Sequence, residues 1–374
     1  MVRMPVEAST SKVEDLYDTQ VSARHPVAYV LHSSEMYGTE RMALATAQGL
    51  AGEFNTIFIG PRGPAMWEAQ RLGFETRYFQ TTKGLIQAIR PLLQTYPSLT
   101  VASTLPRFTL ACKGLNVIYR RRIRHVYVIH GSGEEEKDFG RIKYLNPLDI
   151  TIIAVSQYVK QRLIDYGCRA DRIEVAPNFL LPEQIAAAAK RGKFTGGVKR
   201  AISAGRLEGA KRFDLLLEAV DCRPELADFP IEIAGDGELL ESLRRRAETG
   251  YSNVHFLGFT HDVQERYARS DLLIHPCPTE AFGMVVIEAM AAGIPVLVAD
   301  EGGPATLVEE GVTGFKYRAN DPRDLARRLV ELRNADPELL NRVTANAAQS
   351  LQTRLSAAAS LKRYQQVFAP VDSV

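Results

Sequence analysis

Two glutamates, Glu280 and Glu288, flank a run of seven residues without a polar side chain. The preceding run Leu272–His275 has the pattern of a buried strand, which Pro276 and Pro278 end. Glu280 is therefore expected in a loop between a strand and a helix, and Glu288 inside that helix. Because an ionised carboxylate accepts hydrogen bonds from two donors at once, two carboxylates placed in this way suit the hydroxyl groups of a sugar.

The segment after Glu280 predicts a helix that is buried on nearly every side and that stops at Gly293. A buried carboxylate without a partner costs on the order of several kcal/mol, so Glu288 needs a polar partner. Gly283 lets a ligand approach the backbone, and the free N–H groups of the helix start favour an anion such as phosphate. A structural salt bridge is the common alternative for a lone glutamate. Here the nearby Glu280 and the anion site at the helix start favour a ligand site over a structural salt bridge.

Arg206 and Lys211 add positive charge after another predicted strand, at or near the start of a helix from Arg212. The helix dipole disfavours a cation there unless an anion shares the site. The two residues therefore predict a phosphate site, and a pair of solvated surface charges is the alternative.

His130 ends a predicted strand and precedes Gly131-Ser132-Gly133. A lone histidine is more often structural than catalytic. Its place at the carboxyl end of a strand in an α/β sheet nevertheless favours a functional role, because ligands bind at that edge.

These segments resemble those of the family-4 retaining glycosyltransferases, which have the GT-B fold. The resemblance runs from about His25 to the C-terminus. It rests on five segments: the E-x7-E stretch Thr279–Gly293, the G-R-L-x3-K-G-F-D-x-L stretch Ala204–Leu216, the G-D-G turn in Ile233–Glu238, the F-L-G strand end Phe256–Phe259, and Tyr37–Arg41, which is similar to a G-G-x-E-R loop with Thr39 in place of a glycine.

The resemblance implies a retaining transfer of a hexosyl group from a nucleoside-diphosphate sugar to a hydroxyl acceptor. His130 would contact the donor sugar and support an oxocarbenium-like transition state, while Glu280 would hold the sugar hydroxyls. The remaining donor-binding residues implied by the family pattern are Glu288 for the ribose, Arg206 and Lys211 for the diphosphate, Gly38 for a backbone hydrogen bond, Phe259 for the base, and the amides of Phe282, Gly283, Met284 and Val285 for the sugar and phosphate.

We expect the transfer to need neither a metal nor a cofactor. The chain contains no Asp-x-Asp triplet to hold a divalent cation. Arg206, Lys211 and the helix start near Gly283 offer fixed positive potential instead.

The alternation of short apolar runs with amphipathic segments predicts an α/β protein with parallel sheets. We expect seven strands before the segment Ala186–Lys199, which carries no strand pattern, and five strands after it. Among them are Val126–His130 in the first series and Ala201–Ala204, Ile231–Ala234 and Leu272–His275 in the second. With the resemblance, this predicts two Rossmann-like domains facing each other across a cleft. The predicted segments are an N-terminal extension (1–25), an acceptor domain (26–188), a nucleotide-sugar domain (198–352) and a C-terminal helix that packs back on the first domain (353–374).

Composition excludes several other classes. The net charge of +2 predicts no nucleic-acid partner. The four cysteines have neither zinc-site nor disulfide spacing, and no signal peptide or spanning helix is apparent, so a cytoplasmic location is expected.

Neither G-x-G-x-x-G nor G-x4-G-K-[ST] occurs, which argues against a nicotinamide dehydrogenase and a P-loop kinase. A sugar epimerase, a phosphorylase or an inactive partner subunit that binds nucleotide sugar stays open.

A basic cluster lies within the predicted acceptor domain and contains Arg120, Arg121, Arg122 and Arg124, interleaved with Ile123. Such a cluster attracts anionic lipid at about 1 kcal/mol per basic residue. It therefore predicts a lipid-linked glycan or polysaccharide precursor as the acceptor, and peripheral association with the inner face of the plasma membrane. A solvated basic face is the alternative.

Overall fold

The computed structural model describes residues 24–131 and 135–370 of the chain. These residues form two compact units. The first contains residues 24–128, 149–152 and 364–370, and the second contains the other described residues. Nearly all of the predicted N-terminal extension, residues 1–25, lies outside the described part.

The described residues of the first half of the chain form seven strands: β1 (His25–Val30), β2 (Phe54–Gly60), β3 (Glu75–Tyr78), β4 (Ser98–Ser103), β5 (Arg122–Ile129), β6 (Thr151–Ala154) and β7 (Ile173–Val175). They form one sheet in the order β3-β2-β1-β4-β5-β6-β7. Strand β1 pairs in parallel with both β2 and β4. The pairs β2–β3 and β4–β5 are parallel as well. Parallel neighbours require crossover connections, which the intervening helices provide.

These helices are α1 (Gly38–Gly49), α2 (Pro64–Arg71), α3 (Thr82–Thr95), α4 (Pro106–Tyr119), α5 (Glu135–Ile142), α6 (Gln157–Asp165) and α7 (Pro182–Ala187). Two of them begin at hydroxyl caps. Thr81 accepts a hydrogen bond from the Gly84 N–H at the start of α3, and Ser156 accepts one from the Val159 N–H at the start of α6. Such caps satisfy N–H groups that the helix itself leaves unbonded.

The second sheet contains β8 (Ala201–Ala204), β9 (Ile231–Ala234), β10 (Val254–Gly258), β11 (Leu272–His275), β12 (Val296–Ala299) and β13 (Phe315–Tyr317). Its order is β10-β9-β8-β11-β12-β13. The order changes direction at β8, which pairs with both β9 and β11. Loops at the carboxyl ends of strands beside such a point commonly bind ligands.

The helices of this half are α8 (Asp214–Asp221), α9 (Leu240–Gly250), α10 (Val263–Arg269), α11 (Met284–Ala292), α12 (Gly302–Leu307), α13 (Pro322–Arg333), α14 (Pro337–Gln352) and α15 (Ala357–Phe368). Among the described residues, none of the helices combines the length and apolar character needed to span a membrane.

The end of α15 completes the core of the first unit. Tyr364 and Phe368 are buried, and the Phe368 ring lies edge-on to the rings of Tyr29 and Phe54 at centroid distances of 6.3 and 6.1 Å. The Thr100 hydroxyl donates a hydrogen bond of 2.8 Å to the Phe368 carbonyl. The C-terminal residues therefore pack as part of this unit.

The predicted α/β class with two parallel sheets is confirmed. Every predicted strand is present, and β13 was not predicted. The change from the first sheet to the second falls between Val175 and Ala201, a range that contains the predicted boundary at Ala186–Lys199. The compact units divide the chain differently, because most of residues 129–200 belongs to the second unit.

Candidate active site

An ion pair lies at the carboxyl end of β11. Glu280, in the loop between β11 and α11, binds Lys211 through its Oε2 atom, and the two side chains are 21% and 26% exposed. The Nε2 atom of His275, the last residue of β11, lies 3.7 Å from the same oxygen. The structure thus joins the predicted phosphate-binding lysine to the predicted sugar-binding glutamate.

The ion pair keeps both groups charged at neutral pH. Burial alone would raise the pKa of Glu280, but contacts with His275 and Lys211 outweigh it and hold the pKa well below the ordinary 4.5. Burial would lower the pKa of Lys211, but the Glu280 carboxylate raises it above 10.5. The stabilisation from Glu280 is lost as pH falls below 4.5, and that from Lys211 as pH rises above 10.5.

Two further contacts fix the loop that carries Glu280. The Cys277 thiol donates a hydrogen bond of 3.1 Å to the carbonyl of Ala210, the residue before Lys211. The buried Tyr317 hydroxyl donates one of 3.1 Å to the Pro276 carbonyl. The loop is therefore tied both to the segment that presents Lys211 and to β13.

The start of α12 also contacts the Glu280 loop and holds it in place. The Gly303 N–H donates a hydrogen bond of 2.7 Å to the Glu280 carbonyl. A Cβ atom at Gly303 would lie 2.1 Å from the Ala281 carbonyl oxygen, so only glycine fits there. Gly302 has φ 87°, a conformation that also favours glycine.

The start of α11 lies a few residues beyond Glu280. Gly283 has φ 91° and precedes the helix, and Met284 and Val285 form its first turn. The N–H groups of a first turn have no partner within the helix and favour an anion. Glu288 is 5% exposed, so its predicted burial is confirmed. The Phe282 side chain lies in the core, which leaves only its backbone for a ligand.

Arg206 lies in the loop after β8. Its guanidinium forms an ion pair of 2.8 Å with Glu208 and is about half exposed. The backbone beside it is held by a hydrogen bond of 2.9 Å from the Leu207 N–H to the Asp236 carbonyl. A Cβ atom at Gly235 would lie 1.8 Å from the Gly205 carbonyl oxygen. The two glycine-containing loops after β8 and β9 therefore pack backbone to backbone.

Arg212, directly after Lys211, has φ 54° in the left-handed region. The family segment has glycine at this position. Nonglycine residues adopt this conformation at a cost of about 1 to 2 kcal/mol. The guanidinium donates a hydrogen bond of 3.2 Å to Asp214 and another to Asn320, which also has a positive φ. These contacts offset part of the cost.

His130 follows β5 and is half-buried. A Cβ atom at its neighbour Gly131 would lie 4.0 Å from the Ala281 Cβ atom, and the Ser156 hydroxyl donates a hydrogen bond of 2.6 Å to the Ala281 carbonyl. The strand end that carries His130 therefore lies beside the Glu280 loop. Ser132 and Gly133 lie outside the described residues.

Two other predicted donor-binding residues occupy separate positions. Phe259 follows β10 and is 68% exposed, with its ring 4.8 Å from the His261 ring. Gly38 lies in the first unit, at the start of α1. Both stay predictions as ligand contacts.

The predicted basic cluster is partly engaged in contacts within the first unit. Arg121 donates a hydrogen bond of 2.9 Å to the Leu93 carbonyl, and Arg124 donates one of 3.4 Å to the Pro370 carbonyl. Arg120 is exposed. The Arg122 side chain lies outside the described part. The membrane role of the cluster stays a prediction.

The sequence analysis missed His275 and Cys277. His275 stands at the carboxyl end of a strand, the same position that drew attention to His130, so the same rule would have found it. Cys277 carried no comparable indication. Across residues 24–131 and 135–370, no three His, Cys, Asp or Glu side chains form a group suited to a metal ion.

Two family models match adjoining parts of the chain. The model described as Glycosyltransferase Family 4 matches residues 36–184, and the model described as Glycosyl transferases group 1 matches residues 185–350. Together the two matches cover residues 36–350 and support an assignment to the GT-B glycosyltransferase superfamily. Membership of this superfamily supports glycosyltransferase activity.

Curated relatives and solved structures agree with this assignment. An uncharacterized glycosyltransferase of Haemophilus influenzae is 27% identical over 335 residues, which cover 83% of this chain and 90% of that protein. One of Methanocaldococcus jannaschii is 28% identical over 235 residues, or 61% of this chain, and the match spans only 63% of the relative's length. The crystal structure of Anabaena HepE with UDP and glucose has a TM-score of 0.73 at 21% identity, covering 91% of this chain and 98% of that one.

Proposed function

We propose that the protein transfers a hexosyl group from a nucleoside-diphosphate sugar to a hydroxyl acceptor, with retention of the anomeric configuration. The observation that carries this proposal is the Lys211–Glu280 ion pair beside the start of α11. In this proposal Lys211 is the cation that binds the diphosphate, and it lies next to Glu280, the carboxylate that binds the sugar hydroxyls. Both groups stay charged across the neutral pH range.

In the proposed reaction, the bond between the anomeric carbon and the diphosphate oxygen breaks, and its electron pair stays with the diphosphate. Lys211, Arg206 and the first-turn N–H groups of α11 stabilise the negative charge that develops there. His130 faces the positive charge on the sugar ring. The acceptor oxygen then forms the new bond on the same face of that carbon, and its proton passes to the departing diphosphate oxygen.

The nucleotide base is open to a direct test. Anabaena HepE was crystallised with UDP and glucose, and UDP-glucose is therefore our first candidate donor. In a thermal-shift screen of UDP-, GDP- and ADP-sugars, the true donor should raise the melting temperature of the protein most. A ligand that binds only the folded state stabilises that state. The absence of a shift with every nucleotide sugar would refute the proposed function.

The two glutamates should have separable effects on binding. If Glu288 binds the ribose and Glu280 binds the transferred sugar, Glu288→Ala weakens both the nucleotide sugar and the free nucleoside diphosphate. Glu280→Ala weakens only the nucleotide sugar. Calorimetric titration of both variants with UDP and UDP-glucose measures this difference. Equal losses of UDP affinity in the two variants would contradict the assignment.

Transfer should proceed without a divalent metal. Lys211, Arg206 and the α11 start supply fixed positive potential at the proposed diphosphate position. We expect turnover with saturating donor in excess EDTA to equal turnover with added Mg²⁺. Activity that disappears in EDTA and returns with Mg²⁺ or Mn²⁺ would reject this mechanism and direct attention to Asp236, Glu238 and Asp300.

We also propose that the acceptor is a lipid-linked glycan or polysaccharide precursor, reached at the cytoplasmic face of the plasma membrane. The basic cluster follows α4, on which Leu110 and Ile118 are 46% and 71% exposed. Exposed apolar side chains beside basic ones are typical of peripheral membrane contacts.

This surface predicts selective binding to anionic lipid. At low salt, the protein should co-sediment with vesicles that contain phosphatidylserine and not with neutral phosphatidylcholine vesicles, because each free basic residue adds about 1 kcal/mol near an anionic surface. The variant Ile118→Asp with Arg120→Glu should abolish binding. Equal, negligible sedimentation with both kinds of vesicle would defeat the proposal.

A further inference from the structure

A groove lies between α6 and the start of α12, and the residues that line it all belong to the second unit. It encloses 790 Å³, within the range of about 300 to 1,000 Å³ that is usual for small-molecule sites. None of the residues that the proposed donor site uses lines this groove.

Both walls of the groove are attached to the Glu280 loop. The α6 wall is attached through its cap, since the Ser156 hydroxyl donates a hydrogen bond of 2.6 Å to the Ala281 carbonyl. The α12 wall is attached through the Gly303 N–H, which donates one of 2.7 Å to the Glu280 carbonyl. Thr279, the residue before Glu280, lines the groove itself. A ligand in the groove would therefore lie beside the loop that carries Glu280.

The side chains of the groove carry hydrogen-bonding groups of every kind. Gln157 and Gln161 lie one turn apart on α6, so their amides lie on one face of that helix. Asp300 and Glu301 present carboxylates from the opposite wall, and the Glu301 carboxylate does not cap α12. Lys316 adds an ammonium group. Amides both donate and accept hydrogen bonds, and carboxylates only accept them.

This composition selects a neutral ligand with many hydroxyl groups. Two cations, Arg162 and Lys316, balance the carboxylates of Asp300 and Glu301, so the groove has no net positive charge that would attract a second phosphate or nucleotide. A hydroxyl group can donate to a carboxylate and accept from an amide or ammonium group at the same time. A neutral saccharide can therefore form hydrogen bonds both with the amides of α6 and with the carboxylates of the opposite wall.

We infer that the groove binds the neutral saccharide portion of the acceptor and presents it to the Glu280 loop. This inference rests on the proposed transferase function and adds to it a binding site for the acceptor. The walls are fixed to the loop by two hydrogen bonds, one from the Ser156 hydroxyl and one from the Gly303 N–H, so binding in the groove also fixes the distance between the acceptor and the transferred sugar.

The test measures saccharide and nucleotide binding in the same sample. Methyl glycosides of glucose, galactose, mannose and N-acetylglucosamine are probed by saturation-transfer difference NMR in the presence of UDP, with glucose 6-phosphate as an anionic comparison. Two variants disrupt the groove at exposed positions: Gln157→Ala with Glu301→Ala removes hydrogen-bonding groups, and Gln161→Trp fills the space. The matched control is Gln349→Trp, at an exposed position of α14 outside the groove.

We expect at least one neutral glycoside to bind the unmodified protein and the control. Both groove variants should weaken its binding by at least about ten-fold, as for the loss of one or two hydrogen bonds, while UDP affinity stays within about two-fold of the unmodified protein. Unchanged glycoside binding in the groove variants, stronger binding of glucose 6-phosphate, or no glycoside binding to the unmodified protein would each overturn the inference. Failure of UDP to bind the unmodified protein would instead contradict the proposed donor site, and both proposals would then fall.

Discussion

Replacing Lys211 with methionine should reduce transfer by about 100- to 1,000-fold, the usual effect of removing one preorganised electrostatic group. The ammonium of Lys211 is expected to neutralise the departing diphosphate. The change also leaves the carboxylate of Glu280 in a mostly buried position without its cation. We expect a loss of about 2 kcal/mol in the free energy of unfolding at pH 7, below the 3 to 5 kcal/mol of fully buried pairs, because water still reaches both groups.

The stability loss should depend on pH. In Lys211→Met the pKa of Glu280 rises, so acidification protonates the carboxyl and removes the unpaired charge. The difference in stability from the unmodified protein should therefore shrink as pH falls below the ordinary value of 4.5. Urea denaturation at pH 7 and pH 4 measures this difference.

The double variant Lys211→Met with Glu280→Gln provides the control. It replaces the ion pair with neutral groups of similar shape, so most of the stability should return while transfer stays low. A double variant no more stable than Lys211→Met would show that the ion pair is not the source of the loss. Single and double variants that transfer at the rate of the unmodified protein would exclude Lys211 from the reaction.

Gly303→Ala should destabilise the protein by at least about 3 kcal/mol, the upper end for overpacking, since no rotation of a side chain relieves a Cβ clash. The added atom would lie 2.1 Å from the Ala281 carbonyl oxygen and 2.7 Å from the Phe282 nitrogen. This clash can be relieved only if the Glu280 loop moves. Displacement by about 1 Å can cost 100-fold in rate, so the folded fraction should also transfer poorly.

Gly192→Ala is the matched control for this substitution. A Cβ atom at Gly192 would meet nothing within 4 Å. Thermal denaturation and transfer assays on both variants should show a large effect at Gly303 and almost none at Gly192. Equal stability of the two variants would mean that the backbone around Gly303 adapts freely, and the proposed support of Glu280 would be wrong.

The sequence predicted strands well where a short, mostly apolar run is bounded by glycine, proline or charged residues. The bounds of β8, β9 and β11 agree with the prediction, because the single polar residue within each strand does not obscure these limits. β5 begins at Arg122, four residues before the predicted start at Val126. Its first half contains the buried His125, whose pKa burial lowers to about 3. The basic residues Arg122, Arg124 and His125 therefore hid the first half of this strand from the prediction.

The candidate site was predictable only in part. Glu280 and Glu288 were identified from one segment, and their positions agree with the prediction, Glu280 in the loop before α11 and Glu288 buried within that helix. The contact between Lys211 and Glu280 joins residues 69 positions apart, which no local pattern can reveal. The left-handed conformation of Arg212 was equally hidden, because the residue type argues against it and the compensating contacts come from Asp214 and Asn320. Tertiary contacts override local preference at such positions.

The position of Tyr364 and Phe368 in the core of the first unit has a consequence for synthesis of the protein. A ribosome produces the strands β1 to β4 early, but Tyr364 and Phe368, which close the core around Tyr29 and Phe54, leave the exit tunnel only after every strand of the second sheet. Until then the first unit exposes apolar surface of the kind that makes folding intermediates prone to aggregation. The core of the first unit is therefore completed only after all residues of the second unit have been synthesised.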